Sequence, residues 1–440
     1  MARFFHIVAF WPLSGRPEIT DPVPVTVLRT RLPWVVAAVA FVALLGAAGF
    51  RATPSVLMVP LQEEFGWSRG AISAAVSVNL ILFGLIAPFA AALIERFGIR
   101  PVVVVAMTLV AAGSALTVLV TASWQLVVCW GVLVGTGTGS MALVFAATVA
   151  NRWFVRHRGL VTGVLTAASA TGQLIFLPVL ATLSDARGWR VASLVVAGAA
   201  LAVVPLVLLL MRERPADVGA LPFGAPPDYV EPPPGRPSAI GTLRDASRSR
   251  AFWLLVGGFA ICGATTNGLV GTHFIPAAHD HGMPTTMAAS LLALVGVFDI
   301  VGTVGSGWLT DRVDSRALLS VYYGLRGVSL LVLPLLFASS VRPSMLIFVI
   351  FYGLDWVATV PPTVALCREY FGASGTVVFG WVFASHQLGA AVAATTAGVA
   401  RDLLGDYVTT LLISGGLSIV AAGLSVAIRH TMPRPAASVA

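Results

Sequence analysis

Five side chains able to do acid–base or charge chemistry stand in almost wholly apolar surroundings: Arg51, Asp299, Arg326, Asp355 and His386. An ionisable group inside a long apolar helix costs a few kcal/mol unless it faces a partner or a wet cavity, so each is a candidate for function. A buried carboxylate or imidazole can take up and release a proton, and a guanidinium can hold a carboxylate through two parallel hydrogen bonds. With His386 neutral, the two acids and the two arginines cancel. An anion entering among them unbalances the charge, and a proton on Asp299, Asp355 or His386 restores it, so each bound species raises the affinity for the other. The expectation is that Arg51 anchors a carboxylate. Asp299, Asp355 and His386 are the proton-coupling candidates, and Arg326 balances the acids or gives a second contact.

Arg326 has a competing reading, an internal pair with Asp299 or Asp355. Arg51 has less opportunity for one, because the first half of the chain holds no deep acid. Uncharged polar groups that could complete a substrate site are Asn79, Gln173, Asn267 and Gln387. Asparagine and glutamine in apolar helices also bridge neighbouring helices, which is the plainer role for each.

These residues must be held by membrane-spanning helices. Of 440 residues, 57% are hydrophobic and only 10% charged, far more apolar surface than a water-soluble fold of this length hides. About 20 apolar residues span a hydrocarbon core of about 30 Å, and such runs recur near 33–57, 70–94, 101–121, 124–150, 158–183 and 190–211, then 251–277, 286–310, 316–337, 343–367, 375–400 and 408–429. The expected organisation is a 1–32 arm, a 33–211 six-helix bundle, a proline-rich 212–250 linker, a 251–429 six-helix bundle and a 430–440 tail. At about 1.5 Å per residue, Asp299, Arg326, Asp355 and His386 fall near the middle of spans eight to eleven, with Arg51 somewhat outward in the first. Pro361 and Pro362 remove two backbone donors in mid-span and predict a kink. Gly131, Gly135 and Gly139 make a thin face suited to close packing.

The formal charge of +8 does not point to nucleic acid, since all 27 basic residues are arginines and all but Arg51 and Arg326 lie between the apolar runs. Twenty fall on the side of the termini and linker. Arg69, Arg187, Arg190, Arg342 and Arg401 fall on the other. That asymmetry predicts a multi-pass inner-membrane protein with both termini cytoplasmic. Residues 4–11 are too short an apolar stretch to span. Cys129, Cys262 and Cys367 lie in or beside apolar runs and suggest neither disulfides nor a metal cluster. No phosphate loop or nucleophile triad is present, so neither a cofactor nor an enzyme activity is expected.

The halves repeat. An offset of 216 carries Pro60 to Pro276, Glu64 to Asp280, Gly66 to Gly282, Arg96 to Arg312 and Arg100 to Arg316, and an offset of 217 carries Phe154 to Phe371, Gly163 to Gly380 and Gly172 to Gly389. Asn267 lies one offset from Arg51 and so opposite it. Two near-equal bundles can rock about a site at their interface. Spans two and three are joined by Ala91-Ala92-Leu93-Ile94-Glu95-Arg96-Phe97-Gly98-Ile99-Arg100, and spans eight and nine by Gly307-Trp308-Leu309-Thr310-Asp311-Arg312-Val313-Asp314-Ser315-Arg316. Both resemble the signature loop of the major facilitator superfamily, with Ala91, Glu95 and Asp314 departing from its pattern. The resemblance implies an all-α membrane protein of twelve helices in two pseudo-symmetric bundles. Glu95, Arg96, Arg100, Asp311, Arg312 and Arg316 are then gating candidates, pairing when that side is closed.

Phe50-Arg51-Ala52-Thr53-Pro54, the run Pro60 to Arg69, Asn151-Arg152-Trp153-Phe154 with Arg158-Gly159, and Asp299 together look like the bacterial branch of the monocarboxylate transporter family. That likeness implies a small organic anion moved with a proton. Two cations of the animal members are missing here: Thr303 stands where they have an arginine, and the first span has no lysine near Pro54, so Arg51 is expected to take over its role. The expected partners are thus a small organic anion, a proton and the lipid bilayer, around a monomer. Proton-driven efflux of amphipathic or cationic compounds is the rival within transport, and a non-transporting receptor the rival of another class.

Overall fold

The computed structural model describes residues 25–67, 69–226, 228–229 and 238–428. The start of the N-terminal arm, the three prolines 232–234 and the C-terminal tail lie outside the described residues. In lipid every backbone polar group needs an internal partner, and helices provide one without any neighbour. The described chain is accordingly helical, with an isolated bridge between Phe154 and Phe223 as its extended pairing.

Among the described residues, ten stretches are long and apolar enough to cross a bilayer. One of them, Pro343–Arg401, covers two spans, the first of them broken into two helices, and the 30-residue helix Arg158–Arg187 completes a set of twelve. The first helix, Val25–Phe65, runs past both ends of its expected span. Its 41 residues extend about 60 Å, roughly twice the hydrocarbon thickness. Gly66, at φ +67°, ends it and donates its N–H to Gln62 O at 2.9 Å, the usual glycine stop.

One apolar core is built entirely from residues between Val36 and Met211. Two more serve the second half, and one of these takes in Ala87, Ala91, Ala142, Val144 and Ala147 from the first. Within the first bundle the glycines of the fourth span lie against the second: a Cβ on Gly135 would sit 3.0 Å from Asn79 Cα, and one on Gly139 3.0 Å from Phe83 Cα.

The linker is docked at both ends. Phe223 donates its N–H to Trp153 O at 2.8 Å and accepts from Val155 N and Arg156 N at 2.9 and 3.1 Å, while its ring lies 5.4 Å from that of Trp34. Further on, Ser238 caps the short helix Ala239–Ala246, which buries Ala239, Thr242 and Ala246 on one stripe. Ala239 O accepts from Trp381 Nε1 at 2.9 Å. The proline content of 212–250 on its own suits an extended tether. A serine cap followed by small residues at helical spacing lets eight residues coil instead.

Candidate functional site

The tenth span is the centre of the site, because it is not one helix. Pro343–Asp355 stops, Val360–Phe371 begins, and residues 356–359 form turns between them. Pro361 and Pro362 account for this. In a continuous helix they would donate to Val357 O and Ala358 O, and neither has an N–H to give. Val357 O accepts instead from Val360 N at 2.9 Å, and Ala358 O from Ser306 Oγ at 2.5 Å.

The remaining freed groups are satisfied by charge. Arg326, 1% exposed, donates from Nη2 to Asp355 O at 2.7 Å and to Trp356 O at 3.2 Å. Its Nε reaches Asp355 Oδ2 at 2.6 Å and its Nη1 reaches Cys262 Sγ at 2.9 Å. On the other side of the gap, Asp299 Oδ1 accepts from Val357 N at 3.0 Å and from Thr303 Oγ1 at 2.8 Å. A cation thus sits at the carbonyl end of one half-helix and an anion at the amide side of the next, each where the peptide dipoles favour it.

This places three of the sequence candidates together and divides their roles. Arg326 and Asp355 form an internal ion pair, and Arg326 commits four of its five N–H groups. Asp299 has no cation within ion-pair distance among the described residues. Asp355 Oδ1 and His386 Nδ1 are buried and make no hydrogen bond. His386 lies between the rings of Phe259 and Phe383, at 5.0 and 6.0 Å.

Asn267 is exposed, one turn before Gly271, whose missing Cβ would lie 3.6 Å from the Trp356 ring. Asn79 is buried and donates to Trp130 O at 2.8 Å, bridging the second and fourth spans. Gln387 lies at the contact between bundles, against Gly84. Arg51 is in the first helix and Gln173 in the fifth span; both side chains lie outside the described residues.

The bundles meet in their linker-side halves. Gly159 faces Gly307 O backbone to backbone, and a Cβ on Gly163 would fall 2.6 Å from Thr303 O. On the opposite seam a Cβ on Gly380 would fall 2.6 Å from Pro88 Cα, and Phe83 meets Phe383 edge-on at 5.6 Å. Asp311 closes the first seam: its carboxylate accepts from Gly159 N at 2.8 Å and Leu160 N at 3.0 Å, free donors in the first turn of the fifth span.

The other signature-loop charges stay within their own bundle. Glu95 pairs with Arg152 at 2.9 Å. Arg96 lies over Phe97, and Arg312 over Trp308 at 4.0 Å. Arg316 pairs with Asp314 and donates to Ile428 O at 3.1 Å. Arg100 bonds Leu208 O, while Glu213 caps the third span through Ile99 N and Arg100 N. Arg152, Glu213, Ser306, Thr303 and Cys262 are contributors that the sequence did not place among the site candidates. For Arg152 a signal existed, since the 217 offset carries it to Glu369, an acid in place of a base.

Two six-helix bundles closed over one end, with polar groups concentrated at a broken mid-membrane helix, define a multi-pass membrane transporter. Residues 39–378 match the family model described as Major Facilitator Superfamily. An uncharacterized MFS-type transporter of Bacillus subtilis, YcxA, is 26% identical over 89% of this chain and 94% of its own length. Human monocarboxylate transporter 11 is 28% identical over 91% of this chain and 83% of its own. Among solved structures, the Escherichia coli fucose:proton symporter FucP superposes with a TM-score of 0.66 at 16% identity, over 91% of this chain and 100% of that one. The proton:xylose symporter XylE gives 0.66 at 15%, over 91% and 96%. The chain belongs to the Major Facilitator Superfamily. It is a transporter and not an enzyme.

Proposed function

We propose that this carrier moves a small organic anion, a monocarboxylate, together with a proton across the inner membrane by alternating access. The observation that carries the reading is the charge arrangement of the second bundle. Arg326 and Asp355 neutralise one another, which leaves Asp299 as the acid whose charge a proton would cancel. Arg51 lies in the first span, in a half without a deep acid, so a carboxylate is the partner that its charge would select. The name of human monocarboxylate transporter 11 supports the substrate class, and the titles of the two symporters support the proton. The arginine asymmetry supports a cytoplasmic linker and cytoplasmic termini. With its linker side closed, the protein then stands ready to receive solute from the opposite face.

The test is uptake of a panel of radiolabelled carboxylates into proteoliposomes under an inward proton gradient. The expected result is gradient-driven accumulation of at least one short monocarboxylate, reduced at least about tenfold by Arg51→Ala. Unchanged uptake by that variant removes Arg51 as anchor. Cation extrusion in place of anion uptake transfers the assignment to proton-driven efflux.

A further inference from the structure

We propose that the gap between Pro343–Asp355 and Val360–Phe371 is the hinge through which a proton on Asp299 opens the linker-side seam, with Arg326 and Asp299 as its positioning residues. This rests on the proton reading of Asp299 given above. The two residues brace opposite sides of the gap but differ in one respect: a guanidinium keeps its charge throughout, whereas a carboxylate can lose it. Arg326 is the fixed brace and Asp299 the releasable one.

The bond from Val357 N to Asp299 Oδ1 is charge-assisted while the carboxylate is ionised, and such bonds are about twice as strong as neutral ones. A proton on Asp299 weakens the brace on the side of the gap that leads into Val360–Phe371. That half-helix packs against the fifth and eleventh spans, which are the second bundle's neighbour across one seam and its own contribution to the other. Loosening it therefore reaches both seams. Arg326 continues to hold Asp355 O and Trp356 O, so Pro343–Asp355 stays in place and the motion is confined to the linker-side half.

The surrounding charges are compatible with this division. Among the described residues, Arg326 from the ninth span and Asp355 from the tenth are the charged groups within electrostatic reach of Asp299. Cys262 from the seventh span touches Arg326, and His386 from the eleventh lies within its electrostatic reach. The fifth span, packed against the eighth, brings Arg158 at its linker-side end, within reach of Asp311. Ser306 holds Ala358 O without charge and gives the gap a second, proton-insensitive brace.

The test uses the full-length protein in lipid nanodiscs. Hydrogen–deuterium exchange of residues 355–360, corrected for intrinsic rates, is expected to be about tenfold faster in Asp299→Asn than in the wild type, with the segments around Glu64 and Asp280 unchanged. Spin labels at Arg156→Cys and Val313→Cys, on loops of the two bundles at the linker side, read the opening itself. Between about pH 8 and about pH 5 the wild-type distance distribution should lengthen, while that of Asp299→Asn stays long at both. Equal exchange in the two proteins, or a pH response that Asp299→Asn retains, overturns the proposal. Should Asp299→Asn not fold, Ser306→Ala is expected to raise exchange in the same segment about fivefold and to keep the pH response; no change there overturns it equally. Both hinge readouts are independent of solute, so absent carboxylate uptake with a responsive hinge defeats only the substrate reading, and normal uptake with a silent hinge defeats only the hinge.

Discussion

The two signature loops occupy equivalent positions in the repeat, yet they do different work. Asp311 reaches across the seam and caps the first turn of the fifth span. Glu95, its counterpart, turns inward to Arg152. The residue opposite each acid supplies the reason. Where the first bundle has Arg152 the second has Glu369, so Glu95 finds its cation at home while the equivalent position offers Asp311 none. Duplication has kept the positions and exchanged the partners: one loop stiffens a bundle, and the other fastens the two bundles together.

The largest effect should come from filling the fastened seam. Gly307→Leu places a side chain where Gly159 O and Gly163 Cα already lie, and overpacking of about 1–3 kcal/mol or more acts against the closed state alone. Transport measured in proteoliposomes should be lost, and spin labels at Arg156→Cys and Val313→Cys should report an open linker side at every pH. Activity near wild type would mean that this seam never closes during turnover.

A smaller effect separates the two acids. Asp311→Asn removes a charge from a helix N-terminus and should shift the population toward the open linker side by about 1.5–3 kcal/mol, read from the same labels. Glu95→Gln should leave those distances unchanged and lower the unfolding temperature instead. Equal opening by both variants would erase the contrast between the two loops. Smaller again is Glu369→Arg, which gives Asp311 a cation inside its own bundle. It should reproduce part of the Asp311→Asn shift, about 1 kcal/mol.

The smallest concerns the far end, where the acids repeat and their arginine partners come from non-equivalent spans. Glu64 pairs with Arg190 and accepts from Trp189 Nε1 at 2.7 Å, and Asp280 pairs with Arg401 at 2.7 Å. Glu64 stands past the apolar stretch Arg31–Ala48, and the hydrogen bonds from Arg190 and Trp189 hold its carboxyl below the usual range. A depressed folded value means that the contribution is present above the unfolded carboxylate value and is lost as pH falls through the folded one. The unfolding temperature of Glu64→Gln should therefore lie slightly below wild type at neutral pH, and the two should converge in the acid range. High salt should shrink the difference as well.

The span positions, the repeat and the discontinuity at Pro361 and Pro362 were legible in the sequence because each is a local property: apolar length, constant offset, a missing donor. The depth of Asp299, Arg326, Asp355 and His386 was legible for the same reason. Their partners were not. Depth along a helix leaves open the face on which a side chain lies, and only packing reveals that Arg326 spends its donors on the carbonyls of a broken helix. The competing reading of Arg326 as an internal partner of Asp355 describes the structure better than a second solute contact does. The escape of Asp311 and the capture of Glu95 could have been anticipated by carrying the 217 offset from Arg152 to Glu369. Arg51, the proposed carboxylate anchor, and Gln173 have side chains outside the described residues, and the proposal for Arg51 rests on the charge argument.

Gly159, Gly163 and Gly307 meet across the seam with main chain against main chain. Parting such a surface wets little greasy area, so separation there forfeits only a small share of the hydrophobic drive that normally glues helices at about 25 cal/mol per Å². The open and shut forms can then lie within a few kcal/mol of one another, close enough for a single titrating group and a bound solute to decide which prevails.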